Sequence, residues 1–304
     1  MSPLLTLRYL LEYAALRLVV GVIRLFPLDM AGDLLAWTTK KLAPGGRRHK
    51  KALANLAAAF PEKSEEERNA IAMAMWDNIG RVIAESAHID RLIAQPERIR
   101  MADDVYKRYV GKMGTVVAAS LHMGNWELAI WPVVLVKSRK IAAVYRLVKN
   151  PYVDNFIRKM RSSLYPAGQL AKGRARGVSA GLDTARIISS FVRTVLNNET
   201  ACIAFMGDLY DGKGVPVPFF GREVKSTPFP AMLARRHGAR MWIGRCRRTG
   251  PHSRFIVEMK ELKVPRSDDP DEDVRQVTAA MKRQFEEWIR ETPEQYMWTN
   301  RIFS

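Results

Sequence analysis

From Leu4 to Pro27 the chain reads LLTLRYLLEYAALRLVVGVIRLFP, its most apolar long stretch, interrupted by Arg8, Glu12, Arg17 and Arg24. A membrane-spanning helix needs about 20 mostly apolar residues, and a charge at the bilayer centre costs roughly 2.5–3.5 kcal/mol, which long side chains near the ends relieve by snorkelling. The uninterrupted apolar core and small-residue cleavage site of a secretory signal are missing. The pattern predicts a helix lying in a membrane interface or spanning marginally; the competing reading is a buried helix of a soluble domain. Residues 28–60 read as helix with a break at Pro44-Gly45-Gly46. After Phe60-Pro61, Ser64 and Glu67 form a capping box that opens a helix running to about Ala87, with Ile71, Met75, Ile79, Val82 and Ile83 at helical spacing.

Beyond Thr115 the period changes. Short apolar runs at 115–120, 141–145, 200–205, 241–244 and 255–259 read as strands. Helical patterns lie at Glu127–Val136, Asp154–Ser163, Ser179–Leu196, Pro228–His237 and Asp273–Arg290. Alternating strands and helices predict an α/β domain with a mostly parallel sheet flanked by helices. The expected organisation is a membrane-associating helix over residues 1–27 and an α/β domain over 28–304.

Composition narrows the class. Among 304 residues, 47% are hydrophobic and 26% charged, an ordinary globular mixture that excludes disordered and collagen-like chains. Lys plus Arg number 49 against 31 Asp plus Glu, a formal net charge of +18, so an anionic partner is expected: nucleic acid, an anionic membrane, or an acidic protein or substrate. The excess is regional. Between Lys137 and Arg176 there are eleven basic residues and one acidic residue, Asp154, and a second run spans Arg235 to Arg248. Trp126, Trp131, Trp242, Trp288 and Trp298 sit in apolar or motif contexts rather than as stacking platforms among the basic residues, and no zinc-finger or RNP pattern is present, which counts against nucleic acid. The two cysteines, Cys202 and Cys246, form no CxxC pattern, so neither a disulfide framework nor a Cys-rich zinc site is expected. Cys202 reads as core rather than nucleophile, and the five histidines suggest no metal cluster; no cofactor is expected.

The strand at 115–120 runs into Leu121-His122-Met123-Gly124-Asn125-Trp126-Glu127. Reactive groups of α/β sheets gather beyond the carboxyl ends of strands, and His122 stands there. Glu127 follows as H-x4-E. On a regular helix the two side chains would diverge by about 140°, so they meet only across a turn, which Gly124-Asn125 supplies. Histidine can take a proton from a hydroxyl at neutral pH, and a carboxylate on its other nitrogen fixes the tautomer. Taken alone, the motif fits a satisfied loop histidine better than a catalytic one.

Other stretches add weight. SLHMGNWELA resembles the H-x4-D/E motif of glycerolipid-type acyltransferases. Asn55-Leu56 with Phe60-Pro61-Glu62, Tyr145-Arg146 with Asn150-Pro151, Asp208 with Val217-Pro218-Phe219-Phe220-Gly221 and Thr227, and the closing Pro293-Glu294-Gln295-Tyr296-Met297-Trp298 together resemble the blocks of the bacterial lipid A late acyltransferases, over about residues 5–303. Asn300 stands where that family usually carries His, and Leu209 where Gln or His is common. The resemblance implies acyl transfer from an acyl-carrier-protein (or acyl-CoA) thioester to a hydroxyl of a lipid A precursor, at the cytoplasmic face of a bacterial inner membrane. It implies His122 as general base oriented by Glu127, with no covalent intermediate. Arg146 is a candidate for oxyanion or phosphate binding, Asn125 for substrate or oxyanion binding, and Asp208 for either a second carboxylate near His122 or a turn residue. Other membrane lipids, such as a lysophospholipid or a phosphatidylinositol mannoside, are alternative acceptors with the same chemistry.

Overall fold

A computed structural model describes residues 2–102, 114–135, 140–172, 201–250 and 252–303, and elements are numbered within those residues. The N-terminal third is helical: α1 (Pro3–Leu25), α2 (Leu28–Leu42), α3 (Arg47–Ala59), α4 (Glu65–Ala87) and the short α5 (Ile89–Ile93). The capping box opening α4 is formed: Glu67 N–H donates to Ser64 Oγ at 3.2 Å, and Ser64 N–H donates to Glu67 Oε2 at 2.7 Å. α2 lies close against α4 because Gly80 has no side chain; a Cβ there would stand 2.4 Å from the Leu35 carbonyl oxygen.

The remaining elements are β1 (Ile99–Met101), β2 (Val116–Gly124), α6 (Trp131–Val134), β3 (Lys140–Arg146), α7 (Pro151–Met160), β4 (Gly168–Lys172), β5 (Ala201–Met206), β6 (Tyr210–Phe219), β7 (Arg222–Ser226), α8 (Phe229–His237), β8 (Arg240–Arg248), β9 (Phe255–Leu262) and α9 (Pro270–Glu291). Seven strands form one sheet in the order β1-β9-β8-β2-β5-β3-β4, parallel throughout except where β9 runs antiparallel to β8. Both faces are covered, which is why the strands read as continuous apolar runs rather than alternations. Val117, Ala119 and Leu121 face a core shared with α3, α4, α8 and α9. Val116 and Ala118 face a second core with Ile141, Cys202, Trp242 and Trp131.

The predicted strands all form, and the α/β architecture with a mostly parallel sheet is as expected. Two features differ. The helix expected from Glu127 to Val136 begins as a 3-10 turn, Trp126–Ile130, before α6. The block Val217–Gly221 is a hairpin between β6 and β7, closed by Phe220 and Gly221 with φ of 51° and 67°, the positive values that a two-residue hairpin turn requires. The helix expected at Ser179–Leu196 lies outside the described residues.

α1 runs with its neighbours rather than apart from them. Val20 and Ile23 are buried, Tyr13 packs on Tyr152 and Phe156 of α7, and the Asn150 amide donates to the Tyr9 carbonyl at 2.8 Å. Each charge in the helix has a partner: Arg8 with Glu12, Arg17 over the Phe156 ring, and Arg24 with Asp90. Leu4, Leu7, Leu11, Leu18, Val22 and Leu25 remain exposed. Among the described residues no helix is long and apolar enough to cross a membrane, so the marginal span considered for residues 4–27 is not supported.

Candidate active site

The site is built by strand register. β2 and β5 are parallel neighbours whose last paired residues are Ser120 and Met206. Two residues further along each chain come His122 and Asp208. Gly207 N–H donates to the Ser120 carbonyl at 2.8 Å and keeps the strands together past the ladder's end. His122 Nδ1 lies 2.9 Å from Asp208 Oδ1 and 3.0 Å from Oδ2, and His122 N–H donates to Oδ2 at 3.1 Å. The Tyr296 hydroxyl donates to the same oxygen at 3.2 Å. An ionised carboxylate only accepts, so Nδ1 carries the imidazole proton and Nε2 presents the lone pair.

Asp208 is wholly buried. Burial alone would raise its carboxyl pKa, but the attraction and hydrogen bonds of His122, with the nearby Lys282, hold it below the usual carboxylate value. Burial, with the Asp208 charge, drives the Tyr296 phenol well above its ordinary value, so it remains a neutral donor. The C-terminal segment locks onto the strand end: Met297 N–H donates to the His122 carbonyl at 2.8 Å, and Met123 bridges Tyr296. The Asn55 amide donates to the Trp298 carbonyl at 2.6 Å, so the Asn55-Leu56 and PEQYMW stretches meet in space.

Glu127 does not contact the His122 ring. The turn between His122 and Glu127 exists, but it carries the Glu127 carboxylate onto the Arg161 guanidinium, just after α7. The ring nitrogen intended for it is taken by Asp208. The physical reason is that Gly124, with φ of 56°, breaks the strand, and the following 3-10 turn aims Glu127 away from the sheet end that β5 occupies. His122 instead contacts Trp126, with ring centroids 5.4 Å apart. Tyr165 lies half-buried nearby; desolvation and the Glu127 charge push its phenol up.

Asn125 does not present its amide to a substrate. Its Nδ2 donates to Glu85 at 2.9 Å, and its Oδ1 accepts Glu127 N–H at 3.2 Å, capping the 3-10 turn. Glu85 belongs to a buried network that the sequence did not reveal. Arg248 donates to both its oxygens at 2.5 and 3.0 Å, and Ser253 Oγ donates at 2.7 Å. Arg248 N–H donates to Gln295 Oε1 at 2.8 Å, and the Asn78 amide donates to the Gly124 carbonyl at 3.1 Å. The loop after His122 is thereby fixed from α4, β8 and the C-terminal segment. Arg146 is exposed at the carboxyl end of β3. Two strand spacings separate β3 from β2, about 10 Å. Arg146 therefore stands at the rim of the same sheet edge as His122.

A histidine whose Nδ1 is held by a buried carboxylate, at the carboxyl edge of a parallel sheet, has the geometry that base-assisted transfer or hydrolysis requires. The profile of the bacterial lipid A biosynthesis acyltransferases matches residues 2–304. A lipid A biosynthesis lauroyltransferase of Escherichia coli (strain K12) is 25% identical over 264 residues, covering 84% of this chain and 79% of that protein. The chain therefore belongs to the bacterial lipid A biosynthesis acyltransferase family, and it is an acyltransferase.

Proposed function

We propose that this enzyme transfers a fatty acyl chain from a thioester, of acyl carrier protein or coenzyme A, to a hydroxyl of a lipid A precursor, with His122 as general base and Asp208 as its orienting carboxylate. His122 Nε2 takes the hydroxyl proton as the oxygen attacks the thioester carbonyl. The tetrahedral intermediate then collapses, the C–S bond breaks, and the imidazolium returns its proton to the leaving thiolate. Asp208 stabilises the imidazolium between the two steps. Glu127, paired with Arg161, borders the loop that carries His122 and serves in binding rather than in orienting the ring. Arg146 serves as a contact for a phosphate of the acceptor. The single observation that carries this reading is the bidentate approach of Asp208 to His122 Nδ1.

The exposed apolar side chains of α1, with Met30, Leu34 and Trp37 of α2, support seating on a bilayer. The basic excess of the chain suits an anionic leaflet and an acidic donor protein. The test is purified His122→Ala assayed with thioester donor and lipid A precursor. Acyl transfer should fall on the order of 10²- to 10⁴-fold with circular dichroism unchanged. Retained transfer would remove His122 from the mechanism. Mass spectrometry of lipid A with and without the gene should differ by one acyl group; an unchanged lipid A would redirect the search to another lipid acceptor.

A further inference from the structure

Against the main chain of Asp208 lies a basic residue that the proposed reaction does not use. Lys282 of α9 is fully buried. Its Nζ donates to the Asp208 carbonyl oxygen at 2.6 Å and stands 4.3 Å from the centroid of the Phe219 ring. Gly207 eases the approach. A Cβ at that position would lie 2.8 Å from Met281 Sδ and 3.3 Å from the Phe285 ring, so a side chain there would press on the α9 side chains at the end of β5. Among the described residues, the titratable and charged groups around the amine are few. Asp208 faces it from the β5 end, with His122 from β2 and Tyr296 from the C-terminal segment beyond that carboxylate. On α9 itself, Glu286 is engaged by the Phe220 N–H at 2.6 Å and by Arg290 at 2.8 Å. The amine therefore reaches the main chain of the residue that orients the histidine and shares its field, without making an ion pair with it.

We propose that Lys282 is a positioning residue that acts through Asp208: its positive charge keeps the buried carboxylate ionised and its hydrogen bond fixes the β5 end, so that His122 is held as a neutral, oriented base. This rests on the His122–Asp208 reading above. A buried ammonium with no carboxylate in contact weakens the fold, because desolvation opposes its charge. A lysine that merely filled the core would serve better as methionine. Burial lowers the Lys282 amine to about 8, with Asp208 resisting the shift. Above that pH the amine is neutral and its support of Asp208 is withdrawn.

The test compares Lys282→Met and Lys282→Gln with the intact enzyme in the full chain, measuring kcat, KM for each substrate, Tm and the pH profile. The expected result for Lys282→Met is kcat reduced about tenfold or more, KM within twofold, Tm equal or higher, and loss of the fall in kcat expected of the intact enzyme above about pH 8. Lys282→Gln keeps a donor without the charge and should lose kcat likewise. Unchanged kcat and pH profile in Lys282→Met would overturn the proposal. So would a joint loss of kcat and Tm with the alkaline fall retained, since that marks a structural role. If Lys282→Met does not fold, Asp208→Asn/Lys282→Met is compared with Asp208→Asn. Equal residual kcat supports action through Asp208, and a further tenfold loss refutes it. Activity retained in His122→Ala is a different failure, which overturns the general-base reading itself.

Discussion

In the proposed mechanism the chemistry turns on which carboxylate reaches one ring nitrogen. Asp208 and Glu127 were both within the sequence's candidate set, and only Asp208 contacts His122. Asp208→Asn keeps the shape but removes the charge that favours the Nδ1-protonated tautomer and the imidazolium. It should lower kcat by roughly 10²- to 10⁴-fold with little change in KM, as seen by steady-state kinetics. The same residue sets an acid limit on stability. Its carboxyl is held below the ordinary value in the folded protein, so its stabilising contribution is complete above the unfolded value near 4 and is lost as pH falls through the folded value. Acid unfolding of the intact enzyme should therefore be steeper below about pH 4 than that of Asp208→Asn, measured by circular dichroism. Lys282 shows what a wheel of α9 could have revealed. It shares a face with Thr278, Phe285 and Ile289, all buried, where a lysine breaks the apolar pattern. Arg161 carried no such mark; it is one of many basic residues in its region, and only folding brings it to Glu127.

At the level of elements, β2 and the turn after it do the positioning. The strand was legible because burial on both faces makes it a continuous apolar run. The turn was legible as a break but not in its direction. Gly124 has positive φ, and a Cβ there would stand 1.8 Å from the Cys246 carbonyl oxygen, so no side chain fits. Gly124→Ala should displace the loop from β8, lowering stability by about 2 kcal/mol or more and abolishing acyl transfer; a Tm and kcat equal to the intact enzyme's would contradict this. The hairpin β6–β7 was read only as a motif. Its turn depends on a non-glycine residue, Phe220, in a positive-φ conformation that the Glu286 carboxylate holds through the Phe220 N–H at 2.6 Å. Two short strands, β1 and β4, gave no sequence signal, because a few residues at a sheet edge carry no period.

Over the whole molecule, apolar and basic surfaces are unevenly distributed. Most of the large apolar side chains exposed on the described surface lie between Leu4 and Leu42, while α2 buries its other side, Gly32 and Ala36, toward α4. All four charged residues of α1 are partnered within the protein or along the helix, which reduces the cost of bringing its outer face to lipid. With a formal net charge of +18, binding to vesicles containing phosphatidylglycerol should weaken roughly tenfold between about 50 and 500 mM salt. Binding to neutral vesicles should be weaker and nearly independent of salt, and Leu11→Asp with Leu18→Asp should reduce both. Sedimentation with liposomes measures this, and equal recovery of the double variant would exclude α1 as the contact.

What the sequence determined by itself was local. Periodicity, caps and short apolar runs place the helices and central strands, and the H-x4-E block marks the strand end where His122 stands. Composition and its regional charge point to anionic partners. Tertiary structure decided which residues meet. The parallel register of β2 and β5 carries His122 and Asp208, 86 residues apart, to the same height. The close seat of α9 on Gly207 brings Lys282 against the Asp208 main chain, and α4, β8 and the C-terminal segment clamp the intervening turn. Spacing along a chain constrains partners only within one element. Contacts across elements depend on strand order and helix packing, which arise when the two faces of the sheet are buried together.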